Sequence, residues 1–268
     1  MSAAVRFELR KLAAQWRVRA LLLAALLGPI PVALVMSAQA NPPKDTLFGR
    51  FALDNGFALA LMLLGFLGQW VLPLLTSVVA GDSFASEDQH GTWKTVLTRS
   101  TSRNRLFWAK VLVNLGLTTL VLVVLAASTI ASALLVEGAP ALTGLTGQLI
   151  APGHALWLVA AAWLSVLPPL LGFTCLALLM SVWTRSSAAA IAVPVVLALA
   201  MQMLGSVGTL EPVRPFLLTT AFESWHGLLT DPRFTGPLLE GFVVSAAWAA
   251  VCLAGASFIL HRRDITGG

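Results

Sequence analysis

The chain has 268 residues, 57% hydrophobic and only 11% charged, and its mean hydropathy is +0.85. Soluble domains carry about 25% charged residues, so this composition argues against a water-soluble globular enzyme. The 17 basic and 12 acidic residues, a formal balance of +5, all fall outside six apolar windows: residues 20–40, 57–81, 111–136, 155–183, 187–210 and 241–260. Each window reaches the roughly 20 residues that cross a ~30 Å hydrocarbon core at ~1.5 Å per residue. The windows are continuously apolar rather than alternating, which disfavours a β-barrel. The expected fold is an all-α polytopic membrane protein: one transmembrane domain over residues 1–268 with six membrane-spanning helices.

Residues 1–19 come first. Val5, Leu9, Leu12 and Trp16 recur at helical spacing, and Arg6, Arg10 and Arg17 form a basic stripe beside them. That pattern predicts an amphipathic helix lying in the headgroup layer. It serves either as a plain positive anchor or as an elbow helix that also touches a cytoplasmic partner. Ala38-Gln39-Ala40 imitates a signal-peptide cleavage site. The preceding apolar run is longer than a usual signal core, so the segment is expected to be kept as span one.

Thirteen of the 17 basic residues lie in segment 1–19, in the connection after span two, after span four and after span six. The other four, Lys44, Arg50, Arg214 and Arg233, lie in the alternate connections. This bias predicts both termini in the cytoplasm. The positive charge then reflects topology and attraction to anionic lipid rather than nucleic-acid binding.

The segment Gly81–Lys110 is the most informative polar stretch. Asp82 or Ser83 is expected to cap a first short helix with Glu87 near its end, Gly91 to break it, and Thr92 to cap a second. Trp93, Val96 and Leu97 give that second helix an apolar face too short to span a membrane. Ser100-Thr101-Ser102 reads as a turn, with Ser102 capping the helix of span three. A connector of this length needs no such structure.

Glu87, Gly91, Thr92, Leu97, Arg99, Arg103 and Lys110 spell Glu-x-x-x-Gly-Thr, a Leu/Val-rich helix, Arg, a turn, then Arg and Lys. This pattern resembles the ABC-2 family of ABC-transporter permeases, as do the six-span layout, the basic N-terminal helix and the chain length. That family often has Pro after the first Arg, where this chain has Ser100. The resemblance implies that this loop, Trp93 included, is the coupling helix pressed against a separate ATPase subunit. It also implies two ATPase copies, a second permease chain forming a homodimer or a heterodimer with a similar permease, and export across the cytoplasmic membrane of a prokaryote.

No Gly-x-x-x-x-Gly-Lys-[Ser/Thr] loop occurs, so ATP and Mg are expected on the partner ATPase and no cofactor in this chain. The chain is therefore read as a transporter subunit and not an enzyme. Uncharged spans argue against proton- or ion-coupled transport and intramembrane proteolysis. His90, His154, His226 and His261 are scattered over different segments, and no metal site is expected. Cys175 and Cys252 sit inside spans and read as small buried hydrophobes. Gln69, Asn114 and Gln202 lie within spans two, three and five. They serve either interhelical hydrogen bonding or a substrate path. Pro29, Pro31, Pro73, Pro168, Pro169 and Pro194 predict kinks. Segment 211–237 is too apolar for a linker and predicts a short re-entrant or interfacial helix before span six. Clusters of small residues, Ala160–Ala162, Ala188–Ala190, Ala246-Ala247 and Ala249-Ala250, allow close helix approach within or between chains. The function read from the sequence is a permease that moves a hydrophobic or amphipathic substrate. The alternatives are a non-transporting membrane scaffold or sensor, or a secondary transporter.

Overall fold

A computed structural model describes residues 2–39, 46–89 and 102–262. Apart from a two-residue antiparallel ladder pairing Leu142–Thr143 with Leu149–Ile150, the regular structure among these residues is helical. Five helical runs are long and apolar enough to cross a membrane: Trp16–Ser37, Arg103–Glu137, Pro152–Thr184, Ser187–Ser206 and Gly236–Arg262.

Helix α1 (Ser2–Ala14) ends where Gln15 adopts an extended backbone (φ −72°, ψ 128°), and α2 (Trp16–Leu27) starts the first long run. The expected stripe through Trp16 is therefore cut. Trp16 belongs to α2 and is exposed, as is Leu9, while Leu12 and Glu8 are buried. The packing face of α1 is Val5, Glu8 and Leu12, and it carries a carboxylate. At Gly28, which keeps helical dihedrals (φ −59°, ψ −41°), the ladder is interrupted before α3 (Pro29–Ser37), because Pro29 and Pro31 lack the N–H groups that would continue it. Ser128 donates to the Leu26 carbonyl beside this interruption, 2.5 Å away.

The second window is not one regular helix. It comprises α4 (Gly56–Phe66), a π turn over Leu67–Val71 and α5 (Leu72–Gln89), of 11, 5 and 18 residues. Asn55 caps α4, its side-chain oxygen accepting from the N–H groups of Phe57 and Ala58. The expected new helix capped at Asp82 or Ser83 does not form, because α5 continues through both residues to Gln89. Its continuation is held from outside. Gly81 lets the backbone meet Ala190 and Ile191 at a distance no Cβ would permit. The N–H groups of Phe84 and Ala85 donate to the Ser181 hydroxyl at 3.1 and 3.0 Å.

Helix α6 (Arg103–Glu137) has 35 residues, about 52 Å of rod, so it outruns a ~30 Å hydrocarbon core. Ser102 caps it as expected, its hydroxyl oxygen accepting from Arg105 N–H. Gly138 ends it at φ 75°, where a residue without Cβ is favoured. Helices α7 (Pro152–Ser165) and α8 (Leu167–Thr184) form one run bent at Val166, ahead of Pro168 and Pro169. Then follow α9 (Ser187–Ser206), whose start is capped by Ser186, and α10 (Gly236–Arg262).

Helix α8 is the core of the bundle, packing on α5, α6, α9 and α10, while α6 collects α1 to α4. Buried Thr118 and Thr174 bridge α6 to α8 at 3.1 Å. Cys175 and Cys252 are both buried. The apolar segment before α10 is helical, but as two 3₁₀ helices, Gly208–Phe216 and Thr220–Leu229. The second folds back over α7 and α10, with Phe222 stacked on Phe173 and Trp225 on Phe48.

Candidate functional site

Two polar clusters stand out among the described residues, one near each end of α9. At the basic-rich end, α1, α5 and α6 meet around Lys110, whose side chain is 1% exposed. An ammonium has three donors, and here all three are used. They reach Glu87 Oε1 at 2.7 Å, Glu8 Oε2 at 3.1 Å and the Ser83 carbonyl at 3.1 Å. The Phe84 ring face lies 5.5 Å from Nζ, adding a cation–π contact. Glu87 Oε1 also accepts from Lys11 at 2.5 Å. Two carboxylates and two ammoniums thus balance, as groups removed from water must.

A neighbouring pair extends the cluster. Arg17 on α2 meets Asp82 at 2.9 Å, and Ser187 at the start of α9 donates to the same carboxylate. Asn114 donates to the Ser83 hydroxyl at 2.9 Å and to the Lys110 carbonyl at 2.8 Å. Five helices are tied together here, and two of them, α5 and α6, flank residues 90–101.

Of the residues singled out in the sequence, Glu87 and Lys110 are therefore brought together as buried partners rather than displayed. Arg103 lies half-buried in the first turn of α6. Gly91, Thr92, Trp93, Leu97 and Arg99 lie outside the described residues, as does the second short helix expected there. Glu8, Lys11, Asp82 and Ser83 were not anticipated as site residues. Glu8 was legible in one respect. It is the sole acid among residues 1–19, and it stands at helical spacing between Val5 and Leu12.

The second site lies at the other end of α9. A cavity of about 280 Å³ opens between the last turn of α9 and the two 3₁₀ helices, lined by Gln202, Ser206, Arg214, Thr219, Thr220 and Glu223. Arg214 Nη2 donates to Glu223 Oε2 at 3.2 Å. Gln202 is the one interior amide from the sequence that lines this cavity. Asn114 is fully buried in the first cluster, and Gln69 falls in the π turn.

A family model described as ABC-2 family transporter protein matches residues 4–207. The chain belongs to the ABC-2 transporter family. Its match covers well over half of the 268 residues and takes in α1 to α9, hence the whole buried ionic cluster. A search of curated proteins returned no match. This ABC-2 protein is a multi-pass membrane component of a transporter and not itself a catalyst. Among its described residues no three His, Cys, Asp or Glu side chains gather as a metal site.

Proposed function

We propose that this chain is the permease subunit of an ATP-driven exporter in the cytoplasmic membrane of a prokaryote. Six spans cross the bilayer, the second being α4, the π turn and α5 taken together. Both termini and the ionic cluster face the cytoplasm, as the clustering of basic residues favours. Two permease chains pair, and two ATPase subunits, holding ATP and Mg, dock on residues 90–101 between α5 and α6. The cargo is hydrophobic or amphipathic, as uncharged spans suit.

The observation that carries this reading is the rooting of both flanks of that segment. Glu87 stands two residues before the end of α5, and Lys110 stands in the second turn of α6; they meet at 2.7 Å. Glu8 and Lys11 bind the same cluster to α1. A displacement applied between the flanks is therefore passed to three helices as a unit rather than absorbed by one of them. In this reading Glu87 and Lys110 are positioning residues, while Gly91, Thr92, Trp93, Leu97, Arg99 and Arg103 supply or orient the docking surface.

Co-expression with the ATPase that binds it, followed by reconstitution in proteoliposomes, tests the proposal. The ATPase is expected to co-purify, and its hydrolysis to depend on the permease. Gly91→Pro and Arg99→Ala are expected to uncouple hydrolysis while leaving the chain inserted. A folded, inserted chain that retains no ATPase and changes no hydrolysis rate would sink the reading and favour a scaffold.

A further inference from the structure

The cavity at the far end of α9 has a composition that selects its ligand. Arg214 presents five N–H donors in a planar fork, and one of them reaches Glu223 through a single 3.2 Å bond rather than the bidentate pairing that would occupy the fork. Ser206 and Thr220 donate their hydroxyl protons to the Met203 and Arg214 carbonyls. With those protons committed, each hydroxyl has only acceptor capacity left for a ligand. Gln202 adds an amide with both a donor and an acceptor. The wall thus offers one strong anion receptor beside a carboxylate and a set of neutral acceptors.

A simple anion entering here meets Arg214 but is repelled by Glu223, and a simple cation meets the reverse. A group carrying both charges satisfies both. The volume, about 280 Å³, is near the lower end for small-molecule sites and suits a head group rather than a whole amphiphile.

The surroundings supply the rest of the ligand. Met203 is 71% exposed and Phe216 67% exposed, and Val207 is exposed beside them. A polar pocket whose lining residues Gln202, Ser206 and Arg214 have these exposed apolar residues close by in sequence, one span length from the ionic cluster, matches the boundary between head groups and acyl chains. We infer that this cavity binds the zwitterionic head of an amphiphile, with its phosphate on Arg214 and its ammonium on Glu223. The inference concerns binding alone and does not depend on an ATPase driving the chain.

The full-length chain, purified in a neutral maltoside detergent, is titrated with three probes and followed by microscale thermophoresis. The probes are short-chain phosphatidylethanolamine, short-chain phosphatidylglycerol and free phosphoethanolamine. Phosphatidylethanolamine is expected to bind saturably and more tightly than phosphatidylglycerol, which lacks the ammonium. Arg214→Gln and Glu223→Gln are each expected to weaken it by about tenfold or more, as loss of a charge-assisted bond does. Melting curves verify that each variant is folded. Should either charge variant be unfolded, Gln202→Leu carries the same test. Free phosphoethanolamine binding as tightly as the lipid identifies a soluble ligand, and binding of the lipid alone identifies a membrane ligand. Absence of binding, phosphatidylglycerol binding as tightly as phosphatidylethanolamine, or folded variants that bind like wild type would each overturn the inference.

Discussion

Replacing Lys110 by Met removes the central cation of the buried cluster while keeping most of its packing volume. Glu87 retains Lys11 at 2.5 Å, so the loss falls mainly on Glu8. Its Oε2 has Lys110 as partner at 3.1 Å, and its Oε1 has no hydrogen bond among the described residues. At 2% exposure, Glu8 is then left with neither water nor counter-ion. Breaking a buried pair in this way costs about 3–5 kcal/mol, a large share of the ~5–15 kcal/mol that holds a domain folded. At about 2–4 °C per kcal/mol for a chain of this size, the melting midpoint is expected to fall by roughly 6–20 °C. The double variant Lys110→Met with Glu8→Leu leaves the Lys11–Glu87 pair neutral. It is expected to recover at least about 2 kcal/mol, since partners in one network are not additive. Buried Cys175 and Cys252 make a maleimide dye a direct assay, because thiol labelling on heating reports opening of the bundle. A single variant that melts within about 2 °C of wild type, or a double variant equal to the sum of its singles, refutes the reasoning.

Four further outcomes use the same melting assay. Asn55→Ala removes the cap on Phe57 and Ala58 N–H and a 2.9 Å bond to the Ala141 carbonyl, and is expected to cost about 1–2 kcal/mol, with Asn55→Asp losing less. Gly56→Ala puts a Cβ 2.6 Å from the carbonyl oxygens of Ala133 and Gly138 and is expected to cost about 1–3 kcal/mol. Gly65→Ala in the same helix meets nothing within 4 Å and is expected to be neutral or slightly stabilising. Burial lowers the pKa of His226 from its ordinary value of 6.5, against a smaller upward pull from Glu223. The unfolded state then binds the proton more readily, so this group's contribution is complete above about pH 6.5 and is lost as pH falls toward the folded value. The midpoint is expected to drop between pH 7.5 and 5, and by less in His226→Asn; an equal drop in both would remove the assignment.

The membrane-spanning helices were legible because hydrocarbon imposes one rule that composition records directly. A chain must satisfy its backbone bonds internally over some 20 residues, and a charge-free window announces that. Helix interruptions were legible only where proline causes them. Pro29 and Pro168 mark real interruptions and Pro73 follows the π turn at Leu67–Val71 by two residues, whereas Pro194 lies inside an unbroken α9. The continuation of α5 past Asp82 was hidden for a different reason. Local capping chemistry at Asp82 and Ser83 favours a helix start, but long-range contacts use the same side chains otherwise. Asp82 pairs with Arg17 and Ser187, and Ser83 receives Asn114.

The candidate site was half legible on the same principle. Motif spacing brought forward Glu87 and Lys110, but spacing along the chain carries no sign of whether a charge is displayed or buried. That depends on what covers it, and the cover here is α1, more than 70 residues away from Glu87 in sequence. The decisive mark was the lone acid of the first helix. A carboxylate set among Arg6, Arg10 and Lys11 on a membrane-surface helix weakens attraction to anionic lipid. A helix that served only as an anchor would gain by losing it. Its retention at the register of Val5 and Leu12 is explained once Lys110 lies beneath it at 3.1 Å. In this chain α1 is thus bound to the bundle by a buried ion pair as well as by its apolar face, and so moves with α5 and α6 rather than sliding freely in the headgroup layer.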